Sequence, residues 1–250
     1  MWPTVQVNSL YDAALALLYP RACAACGASV EARSLGVACA ACWHQTRIFS
    51  GEETLCWKCG ALAHGVVPAE KRSSIQCRRC QDERFAAARA CGAYEGALRA
   101  SVLALKREPQ VASRLARLLL ETQRRPPLND VTRLVPVPLH PERERERGFN
   151  QAAALGRALA RLTGLPLDEQ SLVRTVHTER HRAGMDARAR RESVEDAFQV
   201  RRPRLIEGER ILLVEDVFTT GATVSACAGA LKDAGAQEVF VLVVARPLNR

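Results

Sequence analysis

The segment ILLVEDVFTTGAT, residues 211–223, decides the fold because it joins an apolar strand, two acidic residues and a hydroxyl-rich turn. Its first four residues are all apolar, which predicts a strand covered on both faces within a parallel sheet. Glu215 and Asp216 follow at the carboxyl end of that strand, where open α/β sheets bind their ligands. The segment therefore predicts an α/β domain with a ligand site at this edge of the sheet.

The turn after the acidic pair has the composition of a phosphate site. It offers hydroxyl groups and backbone N–H groups just before a predicted helix, and helix N-termini of this kind bind anions. Two carboxylates would repel a phosphate, so Glu215 and Asp216 are expected to accept hydrogen bonds from the vicinal hydroxyls of a ribose. The alternative is an ordinary strand, turn and helix in which the polar residues only cap. The expected 5′-phosphate contacts come from Thr219, Thr220, Gly221, Ala222 and Thr223.

These residues resemble the phosphoribosyl pyrophosphate signature of type I phosphoribosyltransferases. That signature has four apolar residues, two acids, an apolar residue, a variable position and then Thr-Thr-Gly-x-Thr, and residues 211–223 match every position. The family more often has two aspartates, so Glu215 lengthens one arm while it keeps the charge. The resemblance implies a parallel sheet flanked by helices that binds phosphoribosyl pyrophosphate together with Mg²⁺.

The composition predicts a globular protein with a basic surface. The 250 residues are 48% hydrophobic and carry a formal net charge of +9. This balance suits pyrophosphate or nucleic acid as a partner, although solvated arginine-rich faces give the same composition. The longest apolar run, residues 239–245, is too short to cross a bilayer, and no signal peptide is evident. The expected location is therefore the cytoplasm.

Eight of the ten cysteines form four C-x-x-C pairs, and this spacing is typical of metal sites. Two such pairs complete a tetrahedral sulfur shell for Zn²⁺, and zinc supplies folding free energy that a small core lacks. We expect two structural zinc ions in two sequential ribbons; cross-braced pairing, rubredoxin-like iron and redox thiols are the alternatives. His44 and His64 are expected on the surface, and Cys91 and Cys227 in the core. The expected ligands are Cys23, Cys26, Cys39 and Cys42, then Cys56, Cys59, Cys77 and Cys80.

The cysteine pairs and the phosphosugar signature divide the chain into two predicted domains. Residues 1–84 would contain a short helix near residues 10–18 and the double ribbon, and residues 85–250 the α/β domain. Within the second domain, a predicted strand at residues 134–137 is followed by a basic segment that leads to Asn150, which can cap the next helix. The basic candidates for pyrophosphate contacts are Arg143, Arg147, Arg190 and Lys106.

Taken with the cysteine pairs, the motifs VPVPLH, RGFNQ and VLVVAR make the whole chain resemble the ComF family of competence-related, phosphoribosyltransferase-like proteins. That family usually has a glutamine and an asparagine between residues 174 and 198. Here His181 and Arg182 stand in the place of the glutamine, and Ser193 stands in that of the asparagine. The resemblance implies a double zinc ribbon ahead of a phosphoribosyltransferase-like domain, and a role in DNA uptake for some members.

Two functions from different classes follow from the sequence. The first is an enzyme that transfers phosphoribose to an unknown acceptor; no catalytic residue is assigned, because the sequence does not show which nucleophile attacks. The second is a non-catalytic adaptor that binds single-stranded DNA or DNA-uptake proteins such as a helicase. The tryptophans Trp2, Trp43 and Trp57 do not alternate with basic residues, which weakens the case for an aromatic platform that stacks bases.

Overall fold

The computed structural model describes residues 21–63, 65, 67–176 and 196–248. A four-stranded parallel sheet forms its centre, built from β1 (Ala87–Ala93), β2 (Arg133–Pro136), β5 (Arg210–Val217) and β6 (Glu238–Arg246). The strand order is β1-β6-β5-β2, and every neighbouring pair is parallel, so all four carboxyl ends lie at the same edge. A separate antiparallel pair consists of β3 (Leu172–Arg174) and β4 (Phe198–Val200).

The helices are α1 (Ala40–Gln45), α2 (Gly96–Leu105), α3 (Ser113–Gln123), α4 (Pro141–Arg147), α5 (Gln151–Thr163) and α6 (Ala222–Asp233). Short 3-10 turns occur at Arg33–Leu35, Ala69–Ser74, Arg78–Cys80 and Pro203–Leu205. Within the part of the chain that the structure describes, every helix falls short of the length and apolar content that crossing a membrane requires. The helix predicted near residues 10–18 lies outside the described residues.

Helices cover both faces of the sheet, as the uninterrupted apolar run of β5 predicts. Ile211 and Leu213 belong to the core that contains α6, whereas Leu212 and Val214 belong to the core that contains α2, α3 and α5. All four side chains are fully buried. Because each such side chain contributes about 1.5–3 kcal/mol when it leaves water, this strand anchors both cores. The predicted α/β architecture of a type I phosphoribosyltransferase-like sheet is confirmed.

The strand β5 extends further than its apolar run. It continues to Val217, because Glu215 pairs with Val243 and Val217 with Ala245 on the neighbouring β6. Glu215 and Asp216 therefore lie at the carboxyl end of the strand, as predicted, and are part of its ladder. Pairing with β6 fixes their backbone, so the position of the acidic pair is set by the sheet.

The basic segment after β2, predicted as a loop, contains the short helix α4. Pro141 opens this helix, and the side chain of His140 accepts a hydrogen bond from the N–H of Glu142. Acidic residues fill the first turn and arginines the last, which suits the helix dipole, and Gly148 ends the helix at a φ of +81°. Arg143 and Arg147 therefore lie on a helix.

The second pair of C-x-x-C knuckles packs directly against the sheet. Cys56, Cys59 and Cys80 belong to the same core as Ile211 and Leu213. The chain ahead of these knuckles is also joined to the sheet, because the segment at Ile48 bridges to Gly92 of β1. The division between residues 84 and 85 stays a prediction, and the apolar core runs across it.

Candidate phosphosugar site and metal centres

The carboxyl ends of β5 and β2 lie side by side and carry the candidate site. Val137, just after β2, donates its N–H to the carbonyl of Val214 at 3.0 Å. Asn150 accepts a hydrogen bond from the N–H of Ala152 at 2.9 Å and donates its Nδ2 to the carbonyl of Val137 at 3.0 Å. The predicted cap is confirmed, and its second bond ties the start of α5 to the end of β2.

The acidic pair lies where an ionised carboxylate is costly. Asp216 is only 9% exposed, and Glu215 is partly buried. Burial raises the pKa of the Glu215 carboxyl well above its ordinary value, the charge of Asp216 raises it further, and the positive charge of Lys106 opposes the shift. Glu215 Oε1 also accepts a hydrogen bond from the N–H of Asp216 at 2.8 Å. Acidic residues whose pKa is raised by burial and by a neighbouring like charge are typical of ligand sites.

The turn that follows, residues 218–221, presents backbone donors at the start of α6. Gly221 has a φ of +89°, which a residue with a Cβ rarely adopts, and a Cβ there would lie 2.8 Å from Cζ of Phe218. The N–H groups of Thr219, Gly221 and Thr223 make no hydrogen bond with the residues that the structure describes. Thr220 Oγ1 accepts a long hydrogen bond from the N–H of Ala222 at 3.4 Å. Unmet donors at a helix N-terminus fit an anion such as phosphate.

A glutamine that the sequence analysis did not single out connects the acidic pair with α4. Gln151 donates its Nε2 to Oδ2 of Asp216 at 3.4 Å and accepts a hydrogen bond from Nη1 of Arg147. It is the first residue of α5 and follows the cap residue Asn150 in the RGFNQ motif. Its spacing of four residues from Arg147 was a signal available in the sequence, whereas its contact with Asp216 depends on the fold. The side chains of Arg147, Gln151 and Asp216 form one polar chain across the site.

The structure places the other basic candidates differently. Lys106, just after α2, is exposed, and its charge acts on Glu215. Arg143 is partly buried on α4 and makes no hydrogen bond or ion pair with the described residues. Arg190 lies outside the described residues. Lys106 therefore acts on the acidic pair through its charge, and Arg147 is linked to it through Gln151. A contact of Arg143 with pyrophosphate stays a prediction.

The eight paired cysteines form two separate clusters, in the sequential grouping. One consists of Cys23, Cys26, Cys39 and Cys42, and the other of Cys56, Cys59, Cys77 and Cys80, each with its sulfur atoms within 4.8 Å of one another. Neighbouring sulfurs such as those of Cys56 and Cys80 are 3.5 Å apart, and those of Cys23 and Cys42 are 3.7 Å apart. Four thiolates at about 2.3 Å from a tetrahedral zinc stand about 3.8 Å apart, so both clusters fit this ion.

The remaining cysteines and histidines match their predicted places where the structure describes them. Cys91 and Cys227 are fully buried, and burial raises the pKa of Cys91 to about 12 and that of Cys227 well above its ordinary value. Both are inert core thiols, as predicted. His44 is exposed, and His64 lies outside the described residues.

Comparisons with known proteins give the chain a family. Residues 14–81 match the model of a double zinc ribbon domain, and residues 148–250 match that of a phosphoribosyl transferase domain. The DNA utilization protein YhgH of Escherichia coli (strain K12) is 32% identical over 240 residues, covering 93% of this chain and 100% of the relative. Competence protein F of Haemophilus influenzae is 34% identical over 114 residues, 45% of this chain and 49% of the relative. The chain belongs to the ComF family.

A second competence protein supports the same assignment. ComFC of Bacillus subtilis is 36% identical over 102 residues, which cover 41% of this chain and 39% of the relative. The ComF resemblance seen in the sequence is thereby confirmed. The positions at which this chain departs from the ComF pattern, His181, Arg182 and Ser193, lie outside the described residues.

We expect this ComF family member to carry two zinc ions per chain when purified. Both clusters consist only of thiolates, so neither keeps an open position for a substrate, and a structural role follows. Elemental analysis of the folded protein measures the stoichiometry. Folded protein without zinc, or with iron at one or two atoms per chain, would contradict the prediction.

Proposed function

We propose that this protein binds phosphoribosyl pyrophosphate at the carboxyl end of β5 and transfers its phosphoribose to an acceptor. The observation that carries the proposal is the juxtaposition of the largely buried acidic pair with a turn in which the N–H groups of Thr219 and Gly221 have no partner among the described residues. The acids suit the hydroxyls of a ribose, and the turn suits its 5′-phosphate. A site for phosphate alone would not place Glu215 and Asp216 beside it, because their charges repel the ligand.

Each part of the site has a role in this proposal. Asp216 accepts hydrogen bonds from ribose hydroxyls, and Gln151 holds its carboxylate in place. Lys106, whose charge acts on Glu215, and Arg147, which bonds to Gln151, would stabilise pyrophosphate as its negative charge grows on leaving the sugar. Mg²⁺ bound with the ligand supplies further charge neutralisation on the phosphate oxygens. No residue is assigned as a general base, since the acceptor is unknown.

The names of the relatives suggest the setting. Relatives called DNA utilization and competence proteins favour a role linked to DNA uptake. A second candidate function, a nucleic-acid adaptor that binds single-stranded DNA or DNA-uptake proteins, is favoured by one observation. Arg201, Arg202 and Arg204 are exposed and form no ion pair with the described residues, so they offer a basic surface. Such a surface suits phosphate backbones.

Two arginines on α4 provide a matched test of the proposal. Arg147 bonds to Gln151 of the acidic site, whereas Nε of Arg145 donates to the carbonyl of Pro141 at 3.4 Å within its own helix. We expect Arg147→Met to weaken binding of phosphoribosyl pyrophosphate by about 10- to 150-fold, the effect of one charge-assisted hydrogen bond worth about 1.5–3 kcal/mol. Arg145→Met should bind as the parent does, and calorimetry with Mg²⁺ present measures both.

The two candidate functions give different outcomes in this test. A pyrophosphate contact predicts that Arg147→Met loses much less affinity for ribose 5-phosphate than for phosphoribosyl pyrophosphate, because ribose 5-phosphate lacks the pyrophosphate and Gln151 can still bond to Asp216. The adaptor function predicts that both variants lose DNA affinity alike, each flattening its salt dependence by roughly one unit of slope. If the parent binds DNA but not phosphoribosyl pyrophosphate, the adaptor is the better description.

A further inference from the structure

The knuckle of the second metal cluster, residues 56–60, is fitted closely against the sheet. The N–H of Ala88 in β1 donates to the carbonyl of Lys58 at 2.7 Å. Gly60 adopts a φ of +69°, and a Cβ at this position would lie 2.5 Å from the carbonyl oxygen of Ala88. Any larger residue would push the knuckle off the strand. The second cluster therefore has little freedom to move independently of the sheet.

One side chain joins this knuckle to the turn at residues 218–221, the phosphate turn. Arg246, the last residue of β6, donates its Nη1 to the carbonyl of Cys59 at 2.6 Å. The same guanidinium lies over the ring of Phe218, with 5.3 Å between its Cζ and the ring centroid. Phe218 begins the turn and its ring tip abuts Gly221. A displacement of the Cys59 carbonyl would therefore act on Arg246, on the Phe218 ring and on Gly221 in turn.

The chain beyond the last cysteine of the cluster reaches the same turn from the other side. Phe85 packs edge-on against Phe218, with the ring centroids 5.9 Å apart. The N–H of Arg84 donates to Oγ of Ser225, in the first turn of α6, at 2.9 Å. Phe218 thus lies between Phe85, which follows Cys80 in the chain, and Arg246, which bonds to the carbonyl of Cys59. Both contacts therefore come from residues next to this one cluster.

Among the residues that the structure describes, the first metal cluster has no such connection. Its cysteines Cys23 and Cys39 belong to the core on the opposite face of the sheet, together with Trp43. Arg114 of α3 lies over the ring of that tryptophan, with 5.9 Å between its Cζ and the ring centroid. The two clusters have the same ligands and different neighbours, so the loss of one should not be equivalent to the loss of the other.

We propose that Arg246 is a positioning residue that couples the second four-cysteine cluster to the phosphate turn. Metal bound by Cys56, Cys59, Cys77 and Cys80 would fix the position of the Cys59 carbonyl. Arg246 bonds to this carbonyl and packs on Phe218, so it would restrict the motion of the turn. The identity of the ligand in this coupling rests on the proposed function, whereas the coupling itself does not. Because coupling between two sites is reciprocal, a ligand on the turn must also tighten zinc in the second cluster.

The reciprocal effect is measurable by competition with a chromogenic zinc chelator, using ribose 5-phosphate as the ligand. Saturating ribose 5-phosphate should raise the zinc affinity of one of the two sites by about 5- to 150-fold, the usual range of coupling between sites. Cys26→Ser, which disables the first cluster, should retain the zinc ion that responds. An equal response of both sites, or of neither in protein that binds the ligand, would overturn the proposal.

Variants of Arg246 test the connection itself. Arg246→Met should abolish the zinc response and weaken ribose 5-phosphate binding at least 5-fold, while Arg246→Lys, which keeps a cation and a donor, should restore part of both. Arg84→Met is the matched control: its guanidinium pairs with Asp233 at 2.8 Å, on the surface at the far end of α6. A parent-like zinc response in Arg246→Met would show that the connection runs elsewhere.

A ligand-free measurement separates this proposal from the proposed function. In Arg246→Met that retains two zinc ions, amide hydrogen exchange at residues 218–223 should be at least 5-fold faster than in the parent, with β5 unchanged. This result supports the coupling even if no phosphosugar binds, in which case the proposed function fails alone. Unchanged exchange in the turn would overturn the coupling even if phosphoribosyl pyrophosphate binds the parent.

Discussion

Cys80→Ser is expected to remove one zinc ion and to unfold more of the protein than the second ribbon. Cys80 is 3% exposed and shares its core with Phe85, Ile211 and Val241 of the α/β domain. Structural zinc contributes about 10–16 kcal/mol in zinc-finger peptides. A whole domain is stable by about 5–15 kcal/mol, so losing this ion can remove most of the stability of the attached sheet.

The measurement is thermal unfolding of the full chain, followed by circular dichroism, together with zinc content. Cys26→Ser is the matched control, because Cys26 is exposed and its cluster packs on the other core. It should also lose one zinc ion, but with a smaller fall in the Tm of the main transition. The two domains predicted from the sequence, residues 1–84 and 85–250, would lead us to expect an intact second domain. An unchanged main transition in Cys80→Ser would restore that expectation.

The two acidic residues are expected to respond differently to substitution: one change weakens ligand binding, and the other stabilises the ligand-free protein. Asp216→Ala should weaken binding of phosphoribosyl pyrophosphate by about 10- to 150-fold, since it removes a charge-assisted contact worth about 1.5–3 kcal/mol. Glu215→Gln should instead raise the Tm of the ligand-free protein at neutral pH. The reason is that folding holds the Glu215 carboxyl where its charge is unfavourable, as the raised pKa shows.

The sign of the pH dependence follows from the direction of that shift. A carboxyl whose pKa is raised by folding adds stability below its unfolded pKa, and this contribution is lost as the pH rises through the folded pKa. Glu215→Gln should therefore remove a loss of stability that the parent shows as the pH rises from acid to neutral. Asp233→Asn, which changes an exposed acid on α6, is the control and should keep the parent's pH profile.

The outcome that would contradict this prediction is a lower Tm for Glu215→Gln at pH 7 with unchanged zinc content. Parent-like binding by Asp216→Ala, in protein shown to bind the ligand, would place the ribose elsewhere. Calorimetry and thermal unfolding on the same preparations give both results. Opposite effects on stability and binding would indicate that the pair is kept for its ligand and not for the fold.

The sequence by itself determined the elements that depend on local spacing. Four knuckles of C-x-x-C predict two sulfur shells because each knuckle places two thiolates on one side. The apolar run of β5 predicts burial on both faces, and Asn150 predicts the start of α5, since a cap needs only the next two residues.

Only the tertiary structure decided which side chains of these elements contact one another. The link from Arg147 through Gln151 to Asp216 spans 69 positions, and that from Cys59 to Arg246 spans 187. Side chains this far apart in the chain meet because the order β1-β6-β5-β2 gathers all the carboxyl ends at one edge. No periodicity records such a meeting, since it depends on strand order and packing and not on the spacing of neighbouring residues.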